Sequence, residues 1–355
     1  MALSQSQMET LVVLLRSGDA AAREQGRELM RVLSIEDIRA TLSTVCNLSG
    51  IDLTGIDLAG LALRGHTLAR TRLVDADLSG ADLSHSHLVA ADLTDADLSG
   101  CDLSTCDLRR VCFEGANLTG VRLTGAKLHQ ANLTGADLAG HDLHNLAGLG
   151  INLTRADLTD ASLHGADLRP GNNQIARFHE ARLTGADLSA ARLHRARLTH
   201  IQAHRLKLVH AVLDHTDLRH ADLQGADLSH ARINRSPITG INLTNATATG
   251  MTLAHVRSRN LAAAGLVMPR GSFVFSHLPG ASLQGANLCR STMYHLDLTD
   301  ADLSGADLSH ARLSHCTLTG ANLTGADLRG ATMMYCTGAN LSGTVRDTNT
   351  RIHPE

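Results

Sequence analysis

The chain has 355 residues, 43% of them hydrophobic but only 2% aromatic, with no Trp, two Tyr and four Phe. Its formal charge is −3 and its pI about 6.7, which argues against bulk attraction to nucleic acid or an anionic membrane. So few aromatics also argue against binding nucleic acid by base stacking, and no apolar run is long enough to span a bilayer.

Residues 1–45 read as an α-helical N-terminal cap. Met8, Leu11, Val12, Leu14 and Leu15 form an apolar stripe at helical spacing that stops at Ser17 and Gly18. Asp19 is placed to cap a second helix, Ala20 to about Leu33, with Leu29, Met30 and Leu33 as its apolar face. Ser34 and Asp37 resemble a capping box before a short third helix carrying Ile35, Ile38 and Leu42. So little helix buries little by itself, and the open end of a repeat array needs a cover. The competing reading is a separate partner-binding module. Met1 to Gln5 hold no basic region leading into an apolar run, so no secretory signal is expected. Seven Cys without CxxC pairs fit a reduced, cytoplasmic setting.

From Cys46 to Leu341 one unit repeats, A-D/N-L-S/T-x, as in Ala76-Asp77-Leu78-Ser79-Gly80 and Ala306-Asp307-Leu308-Ser309-His310. Counting the central Leu as position i, the frame runs from Leu48 through Leu98 to Leu328 and Met333. It returns in phase after weak stretches, at Phe178, Leu208, Leu253, Met268 and Phe273. A period of five fits neither an α-helix nor a plain strand. Positions i and i−2 point to one side of an extended segment, and Ser, Thr and Gly at i+1 and i+2 suit corners.

The motif is identified as that of the pentapeptide-repeat family. What that resemblance implies is an all-β fold, a right-handed quadrilateral β-helix with four units per square coil. Stacking at roughly 4.8 Å would make about 14 coils, a rod on the order of 70 Å long. Residues twenty apart then lie above one another. One i−1 column is expected to run Asp57, Asp77, Asp97, Asn117, Asp137, Asp157, Arg177, Arg197, and its neighbour Asp82, Asp102, Arg122, Asp142, Arg182. A basic belt follows, Arg177 to Lys207. Arg169 to Gln174 has the composition of a loop, with Asn172 and Asn173 available for contact, and residues 342–355 read as a polar, poorly ordered tail.

Catalysis is not expected. Asp at i−1 belongs to the repeat, and its short side chain is suited to bonding nearby backbone. His200 with His220, His210 with His230 and His295 with His315 should stack, without the three or four converging ligands of a metal site. Cys46, Cys101, Cys106, Cys316 and Cys336 fall at i−2 as small buried fillers. No Walker loop is present, and no cofactor is expected.

The chain therefore reads as a non-catalytic rod displaying charge. The resemblance implies a DNA-mimic-like protein that binds bacterial DNA gyrase or topoisomerase IV and counters inhibitors, as in antibiotic or self-resistance. The partner-binding residues would be Asp57, Asp77, Asp82, Asp97, Asp102, Asp137, Asp142 and Asp157. No direct nucleic-acid or membrane contact is expected, and a homodimer stays open. The alternative is a general protein–protein scaffold or effector.

Overall fold

The computed structural model describes residues 5–17, 19–31 and 46–353. From Cys46 onward the chain winds into a right-handed quadrilateral β-helix whose successive coils pair in parallel. Its core is a stack of Leu at position i and Ala, Ile or Cys at i−2, nearly all fully buried.

The unit Ala76–Gly80 shows why five residues suffice, because each of its five amides has an acceptor. The Ala76 amide closes a turn onto Leu73 O at 3.2 Å, and Asp77 donates back to Ile56 O at 3.0 Å. Leu78 and Gly80 donate forward to Asp97 O and Ser99 O, both at 2.7 Å. The fifth amide, of Ser79, donates to Asp77 Oδ1 at 2.9 Å. Buried or half-buried backbone must be paired somewhere, and here the consensus carboxylate completes the set. Asn does the same at Asn117, Asn152 and Asn322. The corner residue at i+2 has positive φ throughout, +65° at Gly80 and +57° at His200, as the third residue of a type II turn requires.

Helices α1 (Gln5–Arg16) and α2 (Ala20–Arg31) precede the array. Asp19 caps α2, its Oδ1 accepting the Ala21 amide at 3.1 Å. Leu11 and Leu15 are buried, and Gly26 admits α1 closely: a Cβ there would lie 2.9 Å from Leu15 Cδ2. The pair covers the first coil. Leu15 O accepts the Asp52 amide at 3.1 Å, and Arg23 Nε lies 3.6 Å from the buried Asp52 carboxylate. Leu29, expected on the apolar face, is instead 43% exposed. Leu33 and the third helix, with Ile35, Ile38 and Leu42, lie outside the described residues, as does the side chain of Met30.

Two departures change the register. Up to Ala147↔Asp167 the coils pair twenty residues apart, but Asn152↔Arg177, Asp157↔Arg182 and Asp167↔Arg192 are twenty-five apart. Twenty returns at Arg177↔Arg197. One coil thus holds an extra unit, looped out at Pro170–Gln174 and closed by a Gly171–Gln174 bridge. In the wall, Pro170 and Ile175 would fall at positive-φ corners, which proline cannot adopt and a β-branched residue resists. Asn173 would be buried among Leu. The five-residue phase survives the insertion, so the expected column assignments hold only as far as Asp167.

The second departure is at the C-terminal end. Corners expected at positions 340 and 345 occur at Gly338 and Gly343, so Ala339-Asn340-Leu341-Ser342-Gly343 is a full unit displaced by two residues. Val345 then pairs with Asp327, eighteen residues away. The segment read as a poorly ordered tail continues the stack, ending in a strand, Arg351–His353. It is the last of seven parallel strands β1–β7 (Arg232–Asn234, Thr252–Ala254, Ser272–Val274, Thr292–Tyr294, Arg312–Ser314, Thr332–Met334 and Arg351–His353) on one face of the last third.

Replacing residues 170–175 by a single Gly restores a regular corner and a twenty-residue coil. The variant should keep the wild-type circular-dichroism spectrum and a melting temperature at or above the wild-type value; loss of the cooperative transition would show that the loop belongs to the wall.

Candidate partner-binding surface

The side chains that can meet a partner occupy i−1, i+1 and i+2, since i and i−2 are buried. Asp57, Asp77 and Asp97 pair in one column, and Asp82 and Asp102 in the next. Between Asp75 and Asp107 the chain holds eight Asp and no Lys, Arg or Glu. In each consensus Asp one oxygen is engaged locally. Oδ1 accepts the amide two residues on, at Asp57 (3.0 Å), Asp82 (3.0 Å), Asp97 (2.8 Å), Asp102 (2.9 Å) and Asp137 (3.1 Å). Oδ2 carries no ion pair at Asp57, Asp77, Asp82 and Asp97 among the described residues, whereas an arginine meets it at Asp102, Asp107 and Asp157.

The eight expected contact residues do not form one surface. Asp57, Asp77, Asp82 and Asp97 adjoin and have no cationic partner among the described residues. Asp102 borders them, with Arg122 Nη1 3.4 Å from its Oδ2. Asn117 and Arg122 end the two columns. Asp137, Asp142 and Asp157 lie beyond that break; Asp142 is held by His144 at 2.7 Å and Asp157 by Arg182 at 2.8 Å. Sequence spacing put Arg177 over Asp157, whereas the extra unit puts Arg182 there and closes the column with an ion pair. Asn172 and Asn173 are exposed with positive φ, but their loop leaves the corner after Asp167, diagonally opposite the corner shared by the acidic columns.

The local bonds act on titration. The Ser99 amide and hydroxyl, with Asn117, hold the Asp97 carboxyl below its usual range. At Asp102 burial pushes the other way, but Ser104 and Arg122 prevail and the shift is again downward. His144 lowers Asp142; at Asp157, burial opposes but Thr159 and Arg182 prevail.

The expected His stacks form, with ring centroids 4.8 Å apart for His200–His220, 4.9 Å for His210–His230 and 4.7 Å for His295–His315. Among the described residues no three His, Cys, Asp or Glu converge as metal ligands. Cys101 and Cys106 are buried fillers whose thiols burial pushes up to about 12. Cys46 is exposed and Cys336 half-buried, each near an end of the described array. Sequence reasoning missed an aromatic ladder. His255, Phe275, His295, His315 and Tyr335 stack along one corner beside β2–β6, leaving Phe275 and Tyr335 about half exposed. Their spacing of twenty residues was legible once the coil length was known.

A family model described as pentapeptide repeats matches residues 46–145, 149–169, 176–205, 207–245 and 272–333, well over half of the chain. The chain is a pentapeptide-repeat protein. Such solenoids are in general interaction folds without enzymatic chemistry. Among solved structures, the chain is similar to a pentapeptide-repeat protein from the Arabidopsis thaliana thylakoid lumen (38% identity over 31% of this chain and 69% of that one; TM-score 0.23). It is similar to HetL, involved in heterocyst differentiation regulation in the cyanobacterium Nostoc (26%, 86% and 99%; TM-score 0.19). It is also similar to QnrB1, a plasmid-mediated fluoroquinolone resistance protein (15%, 60% and 92%; TM-score 0.28). No curated protein matches the chain. Among the described residues no helix is long and apolar enough to cross a membrane.

Two outcomes follow from the Asp geometry. Asp77→Ala removes the acceptor for the Ser79 amide and should cost about 1 kcal/mol, the scale of a lost cap, whereas Asp77→Asn keeps it and should melt with the wild type. Carboxylates with lowered pKa stabilise the fold above the unfolded Asp value of about 3.9, and that stability is lost as pH falls through the folded values. The melting temperature should therefore drop on acidification below about pH 4; a rise there would contradict the bonding.

Proposed function

We propose that this chain is a non-catalytic cytoplasmic protein of a bacterium that binds a type II topoisomerase, DNA gyrase or topoisomerase IV, on its duplex-binding surface. By occupying that surface it counters inhibitors that trap the enzyme on DNA. The observation that carries the reading is the pair of adjoining acidic columns, Asp57-Asp77-Asp97 and Asp82-Asp102, each carboxylate tied by one oxygen and, Asp102 with its Arg122 excepted, without an ion pair on the other. Two columns rising roughly 4.8 Å per coil place about one carboxylate every 2.4 Å of axis, close to the charge every 1.7 Å or so of a DNA duplex. A preformed rod presents this charge without ordering cost, and its field steers a cationic saddle.

A second reading, a scaffold for another protein, is favoured by the interruption at Arg122 and by the Arg182–Asp157 pair, which confine the acidic surface to a compact patch.

The test is a gyrase supercoiling assay with and without a quinolone, run with wild type and the triple variant D77N/D82N/D97N. Asn retains the Asx bonds, so the variant keeps the fold and loses only charge. The proposal expects wild type to alter supercoiling or rescue it from the drug, and the triple variant to lose at least about tenfold in potency, the scale of a lost charge-assisted contact. Absence of gyrase binding by wild type would favour the scaffold; equal potency of the variant would remove the acidic patch from the interface.

A further inference from the structure

The looped-out unit folds back along the corner from which it leaves, toward the N-terminal coils. Gln130 Nε2 donates to Gly171 O at 2.9 Å, tying the loop to a residue two coils earlier. Gly150 and Gly171 permit the approach. A Cβ on Gly150, where φ is +67°, would lie 2.9 Å from Gln174 O, and one on Gly171 would lie 2.8 Å from Leu149 Cβ. Between loop and wall lies an open cleft of about 510 Å³, lined by Val89, Arg109, Arg110, His129, Gln130, Leu149, Pro170, Gly171 and Asn172.

That lining is chemically one-sided: two guanidiniums and an imidazole, no carboxylate, and an apolar part made by Val89, Leu149 and Pro170. Arg109 holds Asp107 through Nε and Nη2, both at 2.7 Å, which leaves Nη1 as a donor. Arg110, at an exposed corner with φ +62°, has no acidic partner among the described residues. The Leu149 amide donates to His129 Nδ1 at 3.1 Å, so the neutral ring carries its proton on Nε2. Burial first, then Arg109, lowers the His129 pKa and keeps that neutral form at pH 7. The cleft thus assembles donors from three residues on two neighbouring coils, Arg109 and Arg110 on one and His129 on the next, beside an apolar wall.

We propose that this cleft is a binding site for a small organic phosphate, a phosphomonoester on an apolar body. Several donors arriving from separate residues match the three terminal oxygens of a phosphoryl group, whereas a planar carboxylate is satisfied by one guanidinium. The apolar body lies against Val89, Leu149 and Pro170. The site stands apart from the acidic columns, since its loop rises from the diagonally opposite corner, and it does not depend on the topoisomerase reading.

The test is isothermal titration of the full chain with phenyl phosphate, with inorganic phosphate, benzoate and phenol as comparisons. Phenyl phosphate should bind tightest, and Arg110→Ala should weaken it roughly ten- to hundredfold, the loss of one charge-assisted hydrogen bond. Arg195→Ala removes an exposed corner Arg of the same positive-φ class elsewhere on the rod and should leave binding unchanged, which separates the site from general cationic attraction. Replacing residues 170–175 by Gly removes the loop wall and should abolish binding while the melting curve persists. Absence of phenyl phosphate binding to the wild type, equal binding of benzoate or inorganic phosphate, or equal losses in the Arg110 and Arg195 variants would each overturn the proposal.

Discussion

The structure depends on a closed account of backbone hydrogen bonds within five residues. Three amides of each consensus unit go to neighbouring coils, one closes the turn, and the last goes to the Asp or Asn side chain. No other element is needed, so the array extends by repetition and only its ends need special treatment. At the N-terminal end the C-terminal carbonyl of α1 replaces a missing coil by accepting the Asp52 amide. At the other end a displaced unit and β7 continue the pairing.

The same account explains why charge is informative here. An i−1 Asp supplies that acceptor as Asn does, and its negative charge comes with it. Arg or Lys at i−1 has no acceptor atom, so Arg122, Arg177, Arg182, Arg197 and Lys207 each forgo the Asx bond. Their presence is a departure from what the wall favours. Two of them form ion pairs, Arg122 with Asp102 and Arg182 with Asp157, while Arg197 and Lys207 help hold down the carboxyls of Asp217 and Asp187 in the adjacent coils. Arg177 and Arg197 stack in one column and are exposed.

Much of the fold was legible because Leu, Ala and Asp recur at fixed offsets that admit one packing. Leu98 and Ala96 are buried as the frame requires, and Asp19 caps α2 as its position implied. The coil register was not legible from the frame alone. An insertion of five leaves every Leu in phase, so Phe178 looks regular while its neighbour Arg177 sits over Asn152 and not over Asp157. The signal was present in Pro170, Asn173 and Ile175, none of which tolerates the place the frame would assign it. Gly338, three residues before Leu341, likewise marked the two-residue displacement at the end. The cleft depends on where the loop folds back, which Gly150 and Gln130 decide through contacts no periodicity encodes.

The looped-out unit has a consequence for how such rods diversify. Its three ill-fitting residues decide whether that unit hangs outside or enters the wall, and either choice leaves the Leu core intact. With Gly at positions 170 and 175 and Leu at 173, the unit would meet every demand of the wall. All coils beyond it would then advance by one face, a quarter turn about the axis. The charges of the C-terminal part would swing to a different azimuth relative to Asp77 and Asp82 without any change in their own sequence. A rod of this kind has a dial built into it, by which a few substitutions re-aim half of its surface and leave its interior untouched.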